Sequence, residues 1–142
     1  MASFSFSSHL PVLGFFILFV LSSFSFQPQT PFNLKASMER GKAIYTAKCM
    51  TCHMEMGEGT DGYYPPLAKS DYLMAGKKKS IEVVLYGASG PMKVNGYDYD
   101  DKMEAFDLTD EQTSDVLNYV RNSFGNTGAA LTPEEVKSAR KK

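Results

Sequence analysis

The feature that most constrains this chain is the pentapeptide CMTCH, which holds its only two cysteines, Cys49 and Cys52, with His53 directly after them. This spacing is the attachment pattern of c-type haem: two thiols three residues apart reach the two vinyl groups of a porphyrin, and the adjacent imidazole binds the iron. The only other histidine, His9, falls in an apolar N-terminal segment. The motif therefore predicts one covalently bound haem c, attached at Cys49 and Cys52, with His53 as an axial ligand of the iron.

Other uses of these residues explain less of the pattern. A thioredoxin-type dithiol needs a parallel sheet with the motif at the start of a helix, and no alternating strand pattern surrounds Cys49. Tetrahedral zinc usually takes four Cys or His ligands, whereas the chain after its N-terminal segment offers three. A structural disulfide is common in exported proteins but would leave His53 without a role.

The N-terminal segment differs in composition from the rest of the chain. Residues 1–34 contain no Lys, Arg, Asp or Glu, and residues 10–21 are an apolar block followed by the small residues Ser23 and Ser25. We interpret residues 1–25 as a secretory signal peptide, or as an uncleaved anchor, which predicts a periplasmic protein or one held at the membrane facing the periplasm. Residues 26–36, with two prolines, are expected to be a linker. The folded domain is then residues 37–127, and residues 128–142 form a C-terminal tail with a short surface helix.

Helix-start signals recur after the linker, and no segment requires a strand, so the sequence predicts an all-α fold. A helix is expected from Ser37 through Cys49, and a shorter one from Ser80 to the break at Gly87. Thr109 and Gln112 form a capping box before a third helix that ends near Gly125. Four further predictions concern the tail: Thr132 as a cap, Pro133 in the first turn, a mostly polar final helix, and an apolar seam along Ala130, Leu131 and Val136 that packs on the domain.

Between the second and third helices lies a segment rich in Gly, Asp and Tyr that we predict to be a long functional loop. It contains Met92 and Met103. A haem iron with His on one face can take a thioether sulfur on the other, which raises its potential. Met38 and Met74 suit packing roles, and the methionines at positions 50, 54 and 56 are too near His53 to reach the opposite face. Met92 and Met103 therefore stay as candidates for the second axial ligand of the iron.

Taken together, CMTCH after a GxxxY helix, YPPLAKSDYL, and YGASGPMKVNGYDYDDKMEAFDLT before DEQTSDVLNYVRNSFGN resemble the class I monohaem cytochromes c, especially small bacterial periplasmic forms. The resemblance covers about residues 37–126 and implies three to five helices wrapped around one haem. In that family the distal Met lies in a Met-Pro-x-Phe pattern shortly before the last helix. The match implies Met103 as the second axial ligand, with Phe106 after it. Glu104 replaces the family's proline, and Met92 stays an alternative.

The same resemblance assigns several supporting residues. The carbonyl of Pro65, or alternatively of Pro66, is expected to accept a hydrogen bond from the second ring nitrogen of His53, and Leu67 is expected to pack against the ring. Gly41 and Tyr45 are expected to contact the face of the last large helix at residues 117–119.

These assignments predict a non-enzymatic electron carrier, because an iron with two axial ligands has no vacant position for a substrate. The alternatives are a cytochrome subunit of a larger dehydrogenase or oxidase, a haem peroxidase, and an exported thiol oxidoreductase. The expected partners are redox proteins that donate and accept electrons, and association with a membrane through the N-terminal segment is left open. A formal net charge of −1 argues against nucleic acid as a partner.

Two charged segments also have open interpretations. Residues 98–111 contain seven acids against the single Lys102, and they form either a rim that attracts a basic partner or a solvated loop. The lysine triple at residues 77–79 is either a solvated turn, which is the more common case for such a run, or a docking site.

Overall fold

The computed structural model of this chain describes Met1 and residues 31–141, and the stretch Pro31–Lys142 forms one compact unit. The predicted signal peptide or anchor, apart from Met1, and the linker up to residue 30 lie outside the described residues. Within the described part of the chain, no helix combines the length and apolar character needed to cross a membrane.

Six helices and one small hairpin make up the described fold. The elements are α1 (Leu34–Lys48), α2 (Met50–His53), α3 (Asp71–Met74), α4 (Lys77–Tyr86), β1 (Met92–Val94), β2 (Tyr97–Tyr99), α5 (Asp110–Arg121) and α6 (Pro133–Ala139). The predicted all-α character is confirmed, since the sheet has only two short strands. Helices α1 to α5 agree with the predicted three to five helices of the haem-binding fold, and α6 is the short helix predicted for the tail; α2 and α3 are single turns of four residues that periodicity does not reveal.

The hairpin corrects the expectation that the segment before α5 is an irregular loop. β1 and β2 pair antiparallel, with Met92 opposite Tyr99 and Val94 opposite Tyr97. The two residues between the strands, Asn95 and Gly96, have φ of 51° and 87°. Positive φ at both central residues matches the twist of the strands, and Asn-Gly is the usual sequence for such a turn. This signal was present in the sequence and was missed.

Helix α1 begins earlier than predicted, and the assignment of Ser37 as its cap is wrong. The cap is Asn33, whose side-chain oxygen accepts a hydrogen bond from the Ala36 amide at 3.0 Å. Ser37 lies fully buried inside the helix, and its hydroxyl donates to a carboxylate oxygen of Asp115 at 2.6 Å. The helix therefore starts within the segment predicted as linker, because Asn33 supplies the cap and Ser37 serves a tertiary contact.

The crossing of α1 over α5 is the largest helix contact in the fold, and it confirms the expected contact of Gly41 and Tyr45 with the last large helix. A methyl group at Gly41 would overlap the backbone carbonyl of Asp115 and lie 3.0 Å from Tyr119 Cβ. The ring centroids of Tyr45 and Tyr119 are 5.4 Å apart. Arg40 adds a bidentate pair to the buried Asp115 carboxylate, with distances of 2.7 and 2.8 Å. The absence of a side chain at position 41 thus lets the two backbones meet.

Two other helices, α4 and α5, agree with expectation at one end and differ from it at the other. The Thr109 and Gln112 capping box is present, with both hydrogen bonds at 3.1 Å. Helix α5 ends at Arg121, before the turn at Phe124 and Gly125, which both have positive φ. Helix α4 stops before Gly87, as predicted, but it begins at Lys77, so the lysine triple lies in the first turn of a helix rather than in a solvated turn.

The C-terminal tail packs on the domain. Thr132 caps α6 and Pro133 occupies its first turn, which confirms both predictions. Leu131 and Val136 are fully buried, and the Asn118 side chain holds both the amide and the carbonyl of Leu131 at 2.8 Å. The predicted apolar seam is therefore confirmed at these two positions.

We expect Gly41→Ala to lower the free energy of unfolding of the haem-loaded protein by roughly 2 kcal/mol, because overpacking against backbone outweighs the better helix propensity of Ala. Urea unfolding measures this loss. The matched control is Gly76→Ala, since a methyl group there meets nothing within 4 Å; it should cost less than about 1 kcal/mol. Equal losses in the two variants would contradict the close approach of α1 and α5.

Candidate functional site

A mostly apolar cavity of about 300 Å³ lies between α2, α3, α4, β1, α5 and the segment before α5. This volume falls in the range of cofactor and ligand pockets, and burial of apolar surface is what holds a flat hydrophobic group in place. The predicted site residues that line it are Cys49, Cys52, His53, Pro65, Pro66, Leu67, Met92, Met103 and Phe106, together with Val116, Leu117 and Val120 of α5. The fold therefore brings every predicted site residue to one cavity.

The motif occupies a helical turn that continues from the end of α1. The Cys49 amide donates to the Tyr45 carbonyl at 2.8 Å, and the His53 amide donates to the Cys49 carbonyl at 2.9 Å. Positions three and four apart lie on the same side of a helix, which explains why all three motif side chains reach the cavity. Both cysteine side chains are partly exposed.

The electrostatics of Cys49 do not suit thiol redox catalysis. Burial raises the pKa of the Cys49 thiol to about 11, with the neighbouring Lys48 opposing that shift. A catalytic dithiol instead needs a lowered pKa, so that the thiolate is present at neutral pH. The surroundings of Cys49 therefore do not favour a catalytic thiolate.

The imidazole of His53 is oriented by the chain. Its Nδ1 lies 3.0 Å from the carbonyl oxygen of Pro65, and the ring lines the cavity. Burial lowers the pKa of His53, although the Pro65 carbonyl opposes that shift. A neutral ring that donates from Nδ1 has its lone pair on Nε2, which is the form that binds a metal.

Both candidate methionines are in the cavity wall, held by different backbone contacts. Met103 exchanges two backbone hydrogen bonds with Ala88, at 2.9 and 3.0 Å, and the nearby Phe106 amide donates to the Val84 carbonyl at 3.0 Å. Met92 lies in β1 and also borders a separate open groove of about 390 Å³. The Val84 and Ala88 contacts anchor the Met103 segment to α4 and to the residues just after it, where the family pattern has a proline.

Three side chains support the site through contacts that were not predicted from the sequence. The Tyr45 hydroxyl donates to the Met54 carbonyl at 2.6 Å, and burial raises the pKa of this phenol. Asn126 donates to the carbonyls of Leu67 and Val120, both at 2.8 Å. The ring of Phe124 covers Gly57, whose φ is 71°. These side chains contact backbone groups that are distant in the sequence. Of the three, only Tyr45 belongs to a sequence pattern, the GxxxY spacing in α1.

The charged segments are more neutralised than their composition suggests. Four of the seven acids in residues 98–111 form ion pairs: Asp98 with Lys93, Glu104 with Lys102, Asp110 with Arg140, and Glu111 with Arg40. Lys77 pairs with Glu135 at 2.8 Å, and the Lys79 ammonium lies 3.5 Å from the centroid of the Tyr72 ring. Neither segment is a uniform patch of one charge.

Comparisons with known proteins agree with this geometry. A family model described as Cytochrome c matches residues 38–124. Cytochrome c-552 of Thermus thermophilus is 37% identical over 112 residues, covering 72% of this chain and 85% of that protein. The fructose dehydrogenase cytochrome subunit of Gluconobacter japonicus is 33% identical over 109 residues, covering 70% of this chain but 22% of that protein. The alcohol dehydrogenase (quinone) cytochrome c subunit of Gluconobacter oxydans is 32% identical over 89 residues, covering 61% of this chain and 18% of that protein.

The matched region contains CMTCH, α1 from Met38 onward, α4, α5 and all the residues that line the cavity. A family match of this extent fixes the cofactor class, because the family binds covalently attached haem c. The residues present fit that group: an apolar cavity, two thiols at the required spacing and an oriented neutral imidazole. The chain therefore belongs to the cytochrome c family of haem-bearing electron-transfer proteins, and its Cys49 and Cys52 fit the CxxCH pattern of haem attachment.

Proposed function

We propose that this protein carries single electrons between redox proteins, with His53 and Met103 as the axial ligands of a six-coordinate haem c iron. The observation that carries the proposal is the convergence of Cys49, Cys52, His53 and Met103 on one apolar cavity. When bound there, the haem supplies a one-electron iron couple. Everything else is the task of the chain, which attaches the haem, orients its ligand and excludes water.

The protein's part is to keep both oxidation states in the same surroundings. Pro65 holds the His53 ring through Nδ1, and Leu67, Phe106 and the valines of α5 provide a dry wall. A rigid apolar pocket with constant ligands keeps the structural change on electron transfer small, and Met ligation favours the reduced iron.

Met103 is preferred to Met92 as the distal ligand on two grounds. It precedes α5 at the position of the family's distal Met, and its backbone is anchored to Ala88 by two hydrogen bonds. Met92 instead lies where the cavity adjoins the open groove, and its strand pairing with Tyr99 ties it to the hairpin.

The same ligand set argues for a carrier rather than a peroxidase. Catalysis on peroxide needs an open position at the iron and usually an acid or base beside it. Among the residues that the structure describes, His53 is the only histidine, and its ring faces the Pro65 carbonyl.

A second candidate role is that of a haem subunit within a larger dehydrogenase or oxidase. The observation that favours it is the similarity to cytochrome subunits of fructose and alcohol dehydrogenases, although this chain matches only about a fifth of each of them. Co-purification with a larger dehydrogenase or oxidase partner would support this role, whereas isolation as a free monomer that exchanges electrons would support a carrier.

We further propose that the protein is exported and matures in the periplasm. The support is the apolar, charge-free start of the chain, which suits either a cleaved signal peptide or an anchor. Thioether attachment of haem to an exported apoprotein is consistent with either form.

The ligand assignment predicts opposite results for two methionine variants. Met103→Ala should abolish the six-coordinate low-spin absorption spectrum and lower the midpoint potential, because the iron loses its sulfur ligand. Met92→Ala should leave both nearly unchanged and serves as the matched control. Loss of the low-spin spectrum in Met92→Ala alone would assign the ligand to Met92.

Native mass spectrometry tests processing and cofactor together. We expect the protein purified from a periplasmic fraction to start near Phe26 and to carry the added mass of one haem. A mass that retains residues 1–25 with haem attached would show an uncleaved anchor. A mass without haem, in cells with a working maturation system, would contradict the cofactor assignment.

A further inference from the structure

We propose that the hydroxyl of Tyr45 is a positioning group for the axial histidine: it holds the chain directly after CMTCH so that the Pro65 carbonyl meets His53 Nδ1. This inference rests on the proposed function, in that His53 is taken to bind the iron.

The Tyr45 side chain is buried, and its hydroxyl makes a specific contact. Tyr45 is 1% exposed, and its hydroxyl donates to the Met54 carbonyl at 2.6 Å and lies 3.4 Å from the His53 carbonyl. The ring packs between two other aromatic rings, with centroid distances of 5.4 Å to Tyr119 and 5.3 Å to Phe124. The hydroxyl is therefore aimed at the backbone of the motif by a packed cluster rather than by chance.

The backbone that it holds has an unusual conformation. Met54 has φ of 63°, in the left-handed region that non-glycine residues seldom adopt. Such a conformation persists where surrounding contacts hold it. The Tyr45 hydroxyl and the Gly59 amide, which donates to the His53 carbonyl at 3.1 Å, secure the two successive carbonyls at this turn.

The turn begins a loop that ends at the histidine's own hydrogen-bond partner. From Met54 the chain runs through Gly57, whose carbonyl accepts hydrogen bonds from the amides of Leu67 and Ala68 at 2.7 and 2.8 Å. Phe124, which packs on Tyr45, also contacts Gly57. Pro65 lies two residues before Leu67. The aromatic cluster of Tyr45, Tyr119 and Phe124 therefore secures both ends of the loop that presents the Pro65 carbonyl to His53.

Removing the hydroxyl should therefore act on the histidine without removing any ring contact. In Tyr45→Phe the partly buried Met54 carbonyl loses its donor and the turn relaxes. The Pro65 carbonyl then holds Nδ1 less firmly. A weaker bond to Nδ1–H makes the imidazole a poorer electron donor to the oxidised iron, so the midpoint potential should rise.

The experiment compares Tyr45→Phe with Tyr119→Phe in the haem-loaded protein. Tyr119→Phe is the matched control, because it makes the same chemical change in the same aromatic cluster but away from the motif carbonyls. In Tyr45→Phe, NMR of the reduced protein should show solvent exchange of the His53 Nδ1 proton about tenfold faster, since the loop opens more often. The midpoint potential should be higher than in wild type. The control should differ from wild type by less than about twofold in exchange and should keep its potential.

A measurement on the wild type keeps the inference testable if Tyr45→Phe does not fold. The Tyr45 hydroxyl proton should exchange slowly enough to give its own resonance, with a nuclear Overhauser contact to the Met54 region. A rapidly exchanging hydroxyl, or identical exchange and potential in the two variants, would overturn the positioning role. Failure of the proposed function would look different, because the wild type itself would then lack the spectrum of a histidine-ligated haem.

Discussion

A single helical turn, from Cys49 to His53, must present two thiols and an imidazole to the same dry cavity, and the rest of the described fold follows from this requirement. The turn continues from α1 through the hydrogen bond of the Cys49 amide to Tyr45. Helix α1 is held in turn by α5, which also supplies Val116, Leu117 and Val120 to the cavity wall. The α1–α5 crossing therefore connects the turn that carries Cys49, Cys52 and His53 to the apolar cavity wall that α5 supplies.

That crossing combines a steric requirement with a buried polar network. Gly41 allows backbone contact, and the Asp115 carboxylate, which is almost fully buried, is satisfied by Ser37 and by the Arg40 guanidinium. A buried carboxylate without partners would be costly, so these three residues specify one arrangement of the two helices. Asn118 extends the network to Leu131 and joins the C-terminal tail to the same crossing.

Local signals were enough to predict much of this arrangement. The Thr109–Gln112 capping box, the Thr132 cap and Pro133 in the first turn of α6 are signals within one turn of helix, and CMTCH carries its chemistry in five consecutive residues. Predictions failed where a side chain serves a distant segment. Ser37 resembles a cap but bonds to Asp115, 78 residues away. The side chains of Tyr45, Asn126 and Phe124 contact backbone groups of the loop that runs from Met54 to Leu67. No periodic pattern in the sequence marks such contacts. The hairpin at Asn95 and Gly96 is different, because its turn sequence was readable.

The central claim is that a porphyrin is bound to this chain through thioether bonds at Cys49 and Cys52. Acid–acetone extraction of the purified protein, followed by the pyridine haemochrome spectrum of both phases, tests it most directly. If both thioether bonds are present, the haem stays with the precipitated polypeptide and gives the spectrum of a porphyrin whose two vinyl groups are saturated. Haem recovered in the acetone phase, or a colourless protein from cells that mature other c-type cytochromes, would contradict it.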